Sequence, residues 1–274
     1  MSIQFKKSVL LLAAAGVFSL GLTGCGDDAK SDVKVIKVGV VGEYNVQWDT
    51  VNENLAADKL RVELVKYSDY ATPNRALADK EIDLNAFQHK AYLANDVKRN
   101  GYKVTAIGDT VVTPLRIFNN KAKISKLGDI KDGDKIAIPA DLTNGGRALV
   151  LLKTAGLIDL KPGMTGTTAT VADITANSKG VKVVELEAAQ LPRSLEDVDV
   201  ACVPMNYAIS GKLSPEKQGF YFESREAPFA LMVIAARPDN AQAKNVLTFV
   251  KAYQSPEVKA FIDKTFNGAV KAAW

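Results

Sequence analysis

The chain has 274 residues, 47% of them hydrophobic and 24% charged, with a formal net charge of +4. That composition suits a soluble globular protein of one large or two ordinary units. A single histidine excludes a metal centre built on several imidazoles. The near-neutral balance holds no basic cluster for nucleic acid, and no glycine-rich phosphate loop or zinc motif is present, so no cofactor is expected.

The front end is different in kind. Lys6 and Lys7 precede an apolar run over residues 8–22, followed by Leu22-Thr23-Gly24-Cys25. Basic residues, an apolar core and small residues before a cut site make a secretory signal peptide, too short to be a stable span. Leu-Thr-Gly-Cys resembles a bacterial lipobox, in which the cysteine becomes the new N-terminus and carries lipid. Several acyl chains would anchor firmly where one binds only marginally. The expectation is a signal peptide over 1–24, lipid on Cys25, and a small, polar tether over 25–33. Cleavage removes two lysines and no acid, so +4 becomes +2. Cys202 sits in the apolar run Val200-Ala201-Cys202-Val203 and has no partner once Cys25 is acylated. It is expected as a packed thiol.

Residues 35–41 read as a strand and 48–60 as a helix with Val51 and Leu55 on one face. Residues 61–67 read as a second strand. Thr72-Pro73 opens a short helix, with threonine as cap and proline in the first turn. Residues 82–89 alternate as a strand and run directly into a helix from Lys90 that stops at Gly101. Strands alternating with helices at this pitch indicate βαβ units and a mostly parallel sheet.

Residues 104–115 are extended, and near Pro114 the chain is expected to cross to a second lobe. Residues 125–134 read as a charged helix and turn, and 135–139 as a strand. Residues 141–147 read as a polar turn leading into a helix over 148–153. Residues 171–176 read as a short helix and 181–187 as a strand. A helix begins at Leu191, and 199–204 is a buried strand. The apolar run 229–235 returns the chain to the first lobe, and two helices fill 240–268. The fold expected is α/β and bilobal, a periplasmic-binding-protein-like architecture (type 2). Lobe 1 holds 34–114 and 236–274, and lobe 2 holds 115–235.

Ligands of open α/β sheets bind at the carboxyl ends of the strands. The junction there carries Phe87, His89 and Tyr92, and Tyr70 lies in the loop after the preceding strand. Arg147 follows Thr143-Asn144-Gly145-Gly146. Glycines permit close backbone approach, free N–H groups at a helix start favour an anion, and the guanidinium grips a carboxylate at two points. The alternative is a surface pair between Asp141 and Arg147. The only thiol–imidazole pair is Cys202 with His89, and Cys202 reads as buried, so an enzyme is not expected.

Several of these segments together resemble the NlpA-type, methionine-binding lipoproteins of bacterial ABC importers. They include Ser68-Asp69-Tyr70-Ala71-Thr72-Pro73-Asn74, Asn85-Ala86-Phe87-Gln88-His89-Lys90, Thr143-Asn144-Gly145-Gly146-Arg147 and Gln190-Leu191-Pro192-Arg193-Ser194-Leu195. The resemblance implies two lobes closing on a free amino acid, methionine or a related one, for delivery to a permease and its ATPase at the extracytoplasmic face of a membrane. It implies Arg147 on the carboxylate with Thr143 and Asn144 beside it, and Tyr70, Phe87, His89 and Tyr92 around the thioether. Two asparagines common in the family fall here on Pro204 and on the apolar Leu231-Met232. Asn206 substitutes for the first only if its loop shifts. A different carboxylate ligand, or an adhesion or scaffolding lipoprotein, is the alternative.

Overall fold

The computed structural model describes residues 32–43, 46–119 and 124–274. The signal peptide, Cys25 and the tether up to residue 31 lie outside the described residues.

The elements run β1 (Lys34–Val41), α1 (Gln47–Leu55), β2 (Leu60–Tyr67), α2 (Thr72–Ala78), β3 (Leu84–His89), α3 (Lys90–Asn100), β4 (Thr105–Val112) and β5 (Arg116–Asn119). There follow β6 (Lys135–Pro139), α4 (Leu142–Thr154), β7 (Asp159–Leu160), β8 (Ile174–Ala176), β9 (Lys182–Leu186), α5 (Leu191–Ser194), β10 (Val200–Val203) and α6 (Met205–Ser210). The chain closes with β11 (Gly219–Phe222), β12 (Leu231–Ala236), α7 (Lys244–Tyr253), α8 (Pro256–Phe266) and β13 (Lys271–Ala272).

One sheet has the order β13-β4-β12-β3-β1-β2, a second β11-β5-β10-β6-β9, and β7-β8 form a small pair. In the first sheet β1 runs parallel to β2 and β3, while β12 runs antiparallel to β3 and β4. In the second, β6 runs parallel to β9 and β10, while β5 runs antiparallel to β10 and β11. Both sheets are therefore mixed. Central β1 is buried on both faces from Val38 onward, and edge strand β2 alternates, burying Leu60 and Val62 between exposed Arg61 and Glu63. Those are the patterns that two-sided and one-sided cover demand.

The chain passes from the first sheet to the second through residues 113–115 and returns between Phe222 and Leu231. Because β12 pairs with β3 and β4 from Leu231 onward, the boundary expected at 235 falls inside a strand of the first sheet. One apolar cluster joins Ile36, Val38, Trp48, Phe249 and Tyr253 of the first sheet's layers to Phe118 and Val203 of the second. Another, around Ile136, Leu149, Leu152 and Cys202, fills the second sheet's other face. Cys202 is fully buried, which pushes its thiol up to about 12.

Several expected elements differ. The first helix ends at Leu55, because a single 3₁₀ turn and a left-handed Lys59 (φ 53°) redirect the chain into β2. Residues 125–134 hold one 3₁₀ turn, capped by Asp129 through the Ser125 and Lys126 N–H groups. Residues 171–176 are a 3₁₀ turn followed by β8, which pairs with β7. Thr72 lies inside α2, and Asp69 caps it by accepting from the Thr72 N–H (2.8 Å) and hydroxyl (3.0 Å). Among the described residues no helix is long and apolar enough to cross a membrane.

Candidate functional site

Four strand ends converge. β2 delivers Tyr70, β3 delivers Phe87 and His89, β6 leads into α4 with Asn144 and Arg147, and β10 leads into α6 with Asn206. Tyr92 follows on the first turn of α3. These residues line a cavity of about 110 Å³. One water needs about 10–15 Å³ on this scale, so the space holds roughly seven to eleven waters, room for a small molecule. Thr143 does not line it: its hydroxyl donates to Asp141 (3.1 Å) at the start of α4.

Tyr70 is the centre of the aromatic wall. Its ring lies 5.8 Å from Phe87, 5.7 Å from Tyr92 and 5.0 Å from Tyr207. Burial pushes the Tyr70, Tyr92 and Tyr207 hydroxyls above the usual phenol range, so all are neutral donors. His89, 2% exposed, caps α3 by accepting the Tyr92 N–H through Nδ1 (3.0 Å). Its Nε2 therefore carries the proton and donates to Asn144 Oδ1 at 3.2 Å. Burial, then the charge of Arg147, lowers its pKa to about 3 against the opposing Asn144 hydrogen bond. The imidazole is thus a neutral positioning group.

Arg147 is 3% exposed and does not pair with Asp141. Its Nε donates to both Glu223 oxygens (3.0 and 2.9 Å), and Nη2 donates to Glu223 (2.6 Å) and to the Thr113 carbonyl (2.8 Å). The two-point grip expected for a ligand carboxylate is occupied by Glu223. The polar turn expected before the helix is helical too. Asp141 is the N-cap, accepting from the Asn144 N–H (2.9 Å), and its carbonyl accepts from the Gly145 N–H (2.7 Å). Those N–H groups are satisfied inside the helix and do not form an anion cradle. The glycines serve packing: a Cβ at Gly145 would lie 2.6 Å from the Pro139 carbonyl, and one at Gly146 2.7 Å from the Gly166 carbonyl.

Asn206 reaches the cavity from the first turn of α6, two residues beyond Pro204. Its Oδ1 accepts from the Tyr70 hydroxyl at 2.7 Å, while Nδ2 is buried without a hydrogen-bond partner. Sequence reasoning missed Glu223, Tyr207, Phe229 and a buried amide set behind the wall. Phe229 meets His89 edge-on at 5.9 Å. Asn74 bonds Gln88, Asn85 and Asp96, and Gln88 Nε2 also donates to Asn85 (2.9 Å), which holds Gln88 against the cavity. The local signal for that set was present in Asn74, Asn85 and Gln88, polar residues beside apolar ones on buried elements.

The chain is 45% identical to the D-methionine-binding lipoprotein MetQ of Escherichia coli K12, with all of both chains covered. A nutrient-binding protein from Burkholderia cenocepacia, solved bound to methionine, superposes with a TM-score of 0.82 at 42% identity, over 87% of this chain and all of that one. The solved methionine-binding protein MetQ gives 0.83 at 43% identity, over 89% and 99%. The profile of the NlpA lipoproteins matches residues 36–274, nearly everything past the tether. With this match, this identity and these strand ends, the chain belongs to the NlpA lipoprotein family.

Proposed function

We propose that the mature chain is a lipid-anchored, extracytoplasmic solute-binding protein that captures free methionine and hands it to the permease and ATPase of an ABC importer, without catalysing a reaction. The observation that carries this reading is the enclosure itself. The cavity combines the aromatic side chains of Tyr70, Phe87 and Tyr92 with the polar side chains of Asn144, Arg147 and Asn206 in one lining. Sulfur–aromatic contacts suit a thioether against Tyr70, Phe87 and Tyr92. The methionine-bound relative, similar over 87% of this chain, supports the same ligand class here. Lipid on Cys25 would hold the protein at the membrane, in keeping with relatives named lipoproteins.

On this reading residues 34–112 and 231–274 form one lobe and 116–222 the other, closing on the ligand between them. Glu223 on the fork of Arg147, with Pro204 and Leu231 where the family commonly has asparagine, favours as the second reading another amino acid or small carboxylate. The deciding experiment is mass spectrometry of ligand released from purified protein, followed by calorimetric titration of the stripped protein. Methionine in the released fraction, rebinding at one site, is the expected result. A different small molecule released, with no heat on adding methionine, would replace the ligand.

A further inference from the structure

We propose that Asn206 selects the ligand's polar end, donating from Nδ2 to a ligand oxygen; this rests on the reading of the cavity as a methionine site. The amide's orientation is set by Tyr70, whose hydroxyl donates to Oδ1 at 2.7 Å and so leaves Nδ2 as the other end. That Nδ2 is buried, has no partner and belongs to a residue lining the cavity. Native proteins rarely leave a buried donor unpaired, and such groups mark an unmet acceptor.

The nearby acids are engaged elsewhere. Glu223 is held by Arg147, and Asp141 accepts from Thr143 and Asn144. None of the described lining residues is acidic. An N–H donor in this setting calls for a carboxylate or carbonyl oxygen and repels an ammonium. Asn206 therefore discriminates for the acceptor end of a zwitterion, with the fork of Arg147 already committed to Glu223. Its place adds a second property. Tyr70 hangs from the first sheet and Asn206 opens α6 on the second, so the donor is aimed only when the two meet.

The test is titration calorimetry of methionine into the stripped, full-length protein and two variants, with melting curves to verify folding. Asn206→Ala removes the donor and the bulk; Asn206→Asp keeps the shape but replaces the donor with charge. Methionine affinity should fall about tenfold in Asn206→Ala, the scale of a hydrogen bond to a charged group. It should fall further in Asn206→Asp and recover as pH is lowered into the carboxyl range, where the acid regains a donor. A role in shape alone predicts the reverse order, with Asn206→Asp close to wild type, and that order would overturn the proposal. So would unchanged affinity in a folded Asn206→Ala. A wild-type protein that binds no methionine overturns the ligand reading, and this inference with it.

Discussion

His89 owes its neutrality to where β3 ends. The ring is buried, spends Nδ1 on capping α3 and Nε2 on Asn144, and stands near the guanidinium of Arg147. Its pKa of about 3 in the fold lies below the ordinary 6.5, so the unfolded chain takes up a proton first as pH falls. The stability it contributes is whole above 6.5 and is lost on descending toward 3. In that window wild-type unfolding free energy should fall more steeply than that of His89→Gln, by up to ~1.4 kcal/mol per pH unit, in urea titrations at stepped pH. Equal slopes would mean that the imidazole titrates normally. Arg147 argues at the same scale. Breaking its buried pair through Arg147→Ala should cost about 3–5 kcal/mol, and Arg147→Met with Glu223→Leu should recover much of that, because no charge is then left alone. An Arg147→Ala protein as stable as wild type would show that Glu223 is solvated. The aromatic junction was legible in the sequence because its residues are neighbours along one strand and one helix. The Arg147–Glu223 pair spans 76 positions and two elements, and nothing local announces such a partner.

At the scale of elements, apolar runs located β1, β6 and β10, and Gly101 at φ 72° stops α3 where its left-handed cap is needed. Helix α4 shows where local patterning fails. Thr143-Asn144-Gly145-Gly146 has the composition of a turn, yet it is the first part of a buried helix, since only glycine lets the helix approach the Pro139 and Gly166 carbonyls. Tertiary packing overrides the ~1 kcal/mol by which glycine disfavours helix. Gly146→Ala sets that propensity gain against a Cβ 2.7 Å from one backbone oxygen and 3.1 Å from another, neither of which can rotate away. The clash should win by about 1–3 kcal/mol in denaturant unfolding. Gly128→Ala, with nothing within 4 Å, is the control and should stay near wild type. A Gly146→Ala protein as stable as the control would show that α4 can slide on its neighbours.

For the whole molecule, hydrogen bonds join the layers of the two sheets at several places. Tyr70 meets Asn206, Tyr207 donates to the Ser68 carbonyl (2.9 Å), Ser210 Oγ accepts the Glu43 N–H (3.0 Å), and Arg225 donates to the Gly268 carbonyl (2.6 Å). Two lobes were legible from strands that leave one apolar set and return late, but these crossings were not, because they depend on loop shape. Gly42 sits at one such crossing. It has φ +89°, its N–H donates to the Tyr67 carbonyl, and a Cβ there would lie 2.6 Å from Ser210 Oγ. Gly42→Ala therefore combines a left-handed strain of order 1 kcal/mol with a wedge between the layers, while touching no residue of the aromatic wall. If the lobes close on their ligand, the wedge, against Ser210 and 3.5 Å from the Asn206 carbonyl, should act on closure and leave the contacts of the aromatic wall intact. Methionine should then leave faster, with affinity several-fold weaker and association little changed, as expected when a closed state is destabilised. Solution scattering supplies the structural reading: stripped wild type should contract when saturated with methionine, and Gly42→Ala should contract less. The double change Gly42→Ala with Ser210→Gly removes the obstructing hydroxyl and should restore part of both effects. Full contraction and wild-type release in folded Gly42→Ala would place the moving boundary away from this crossing.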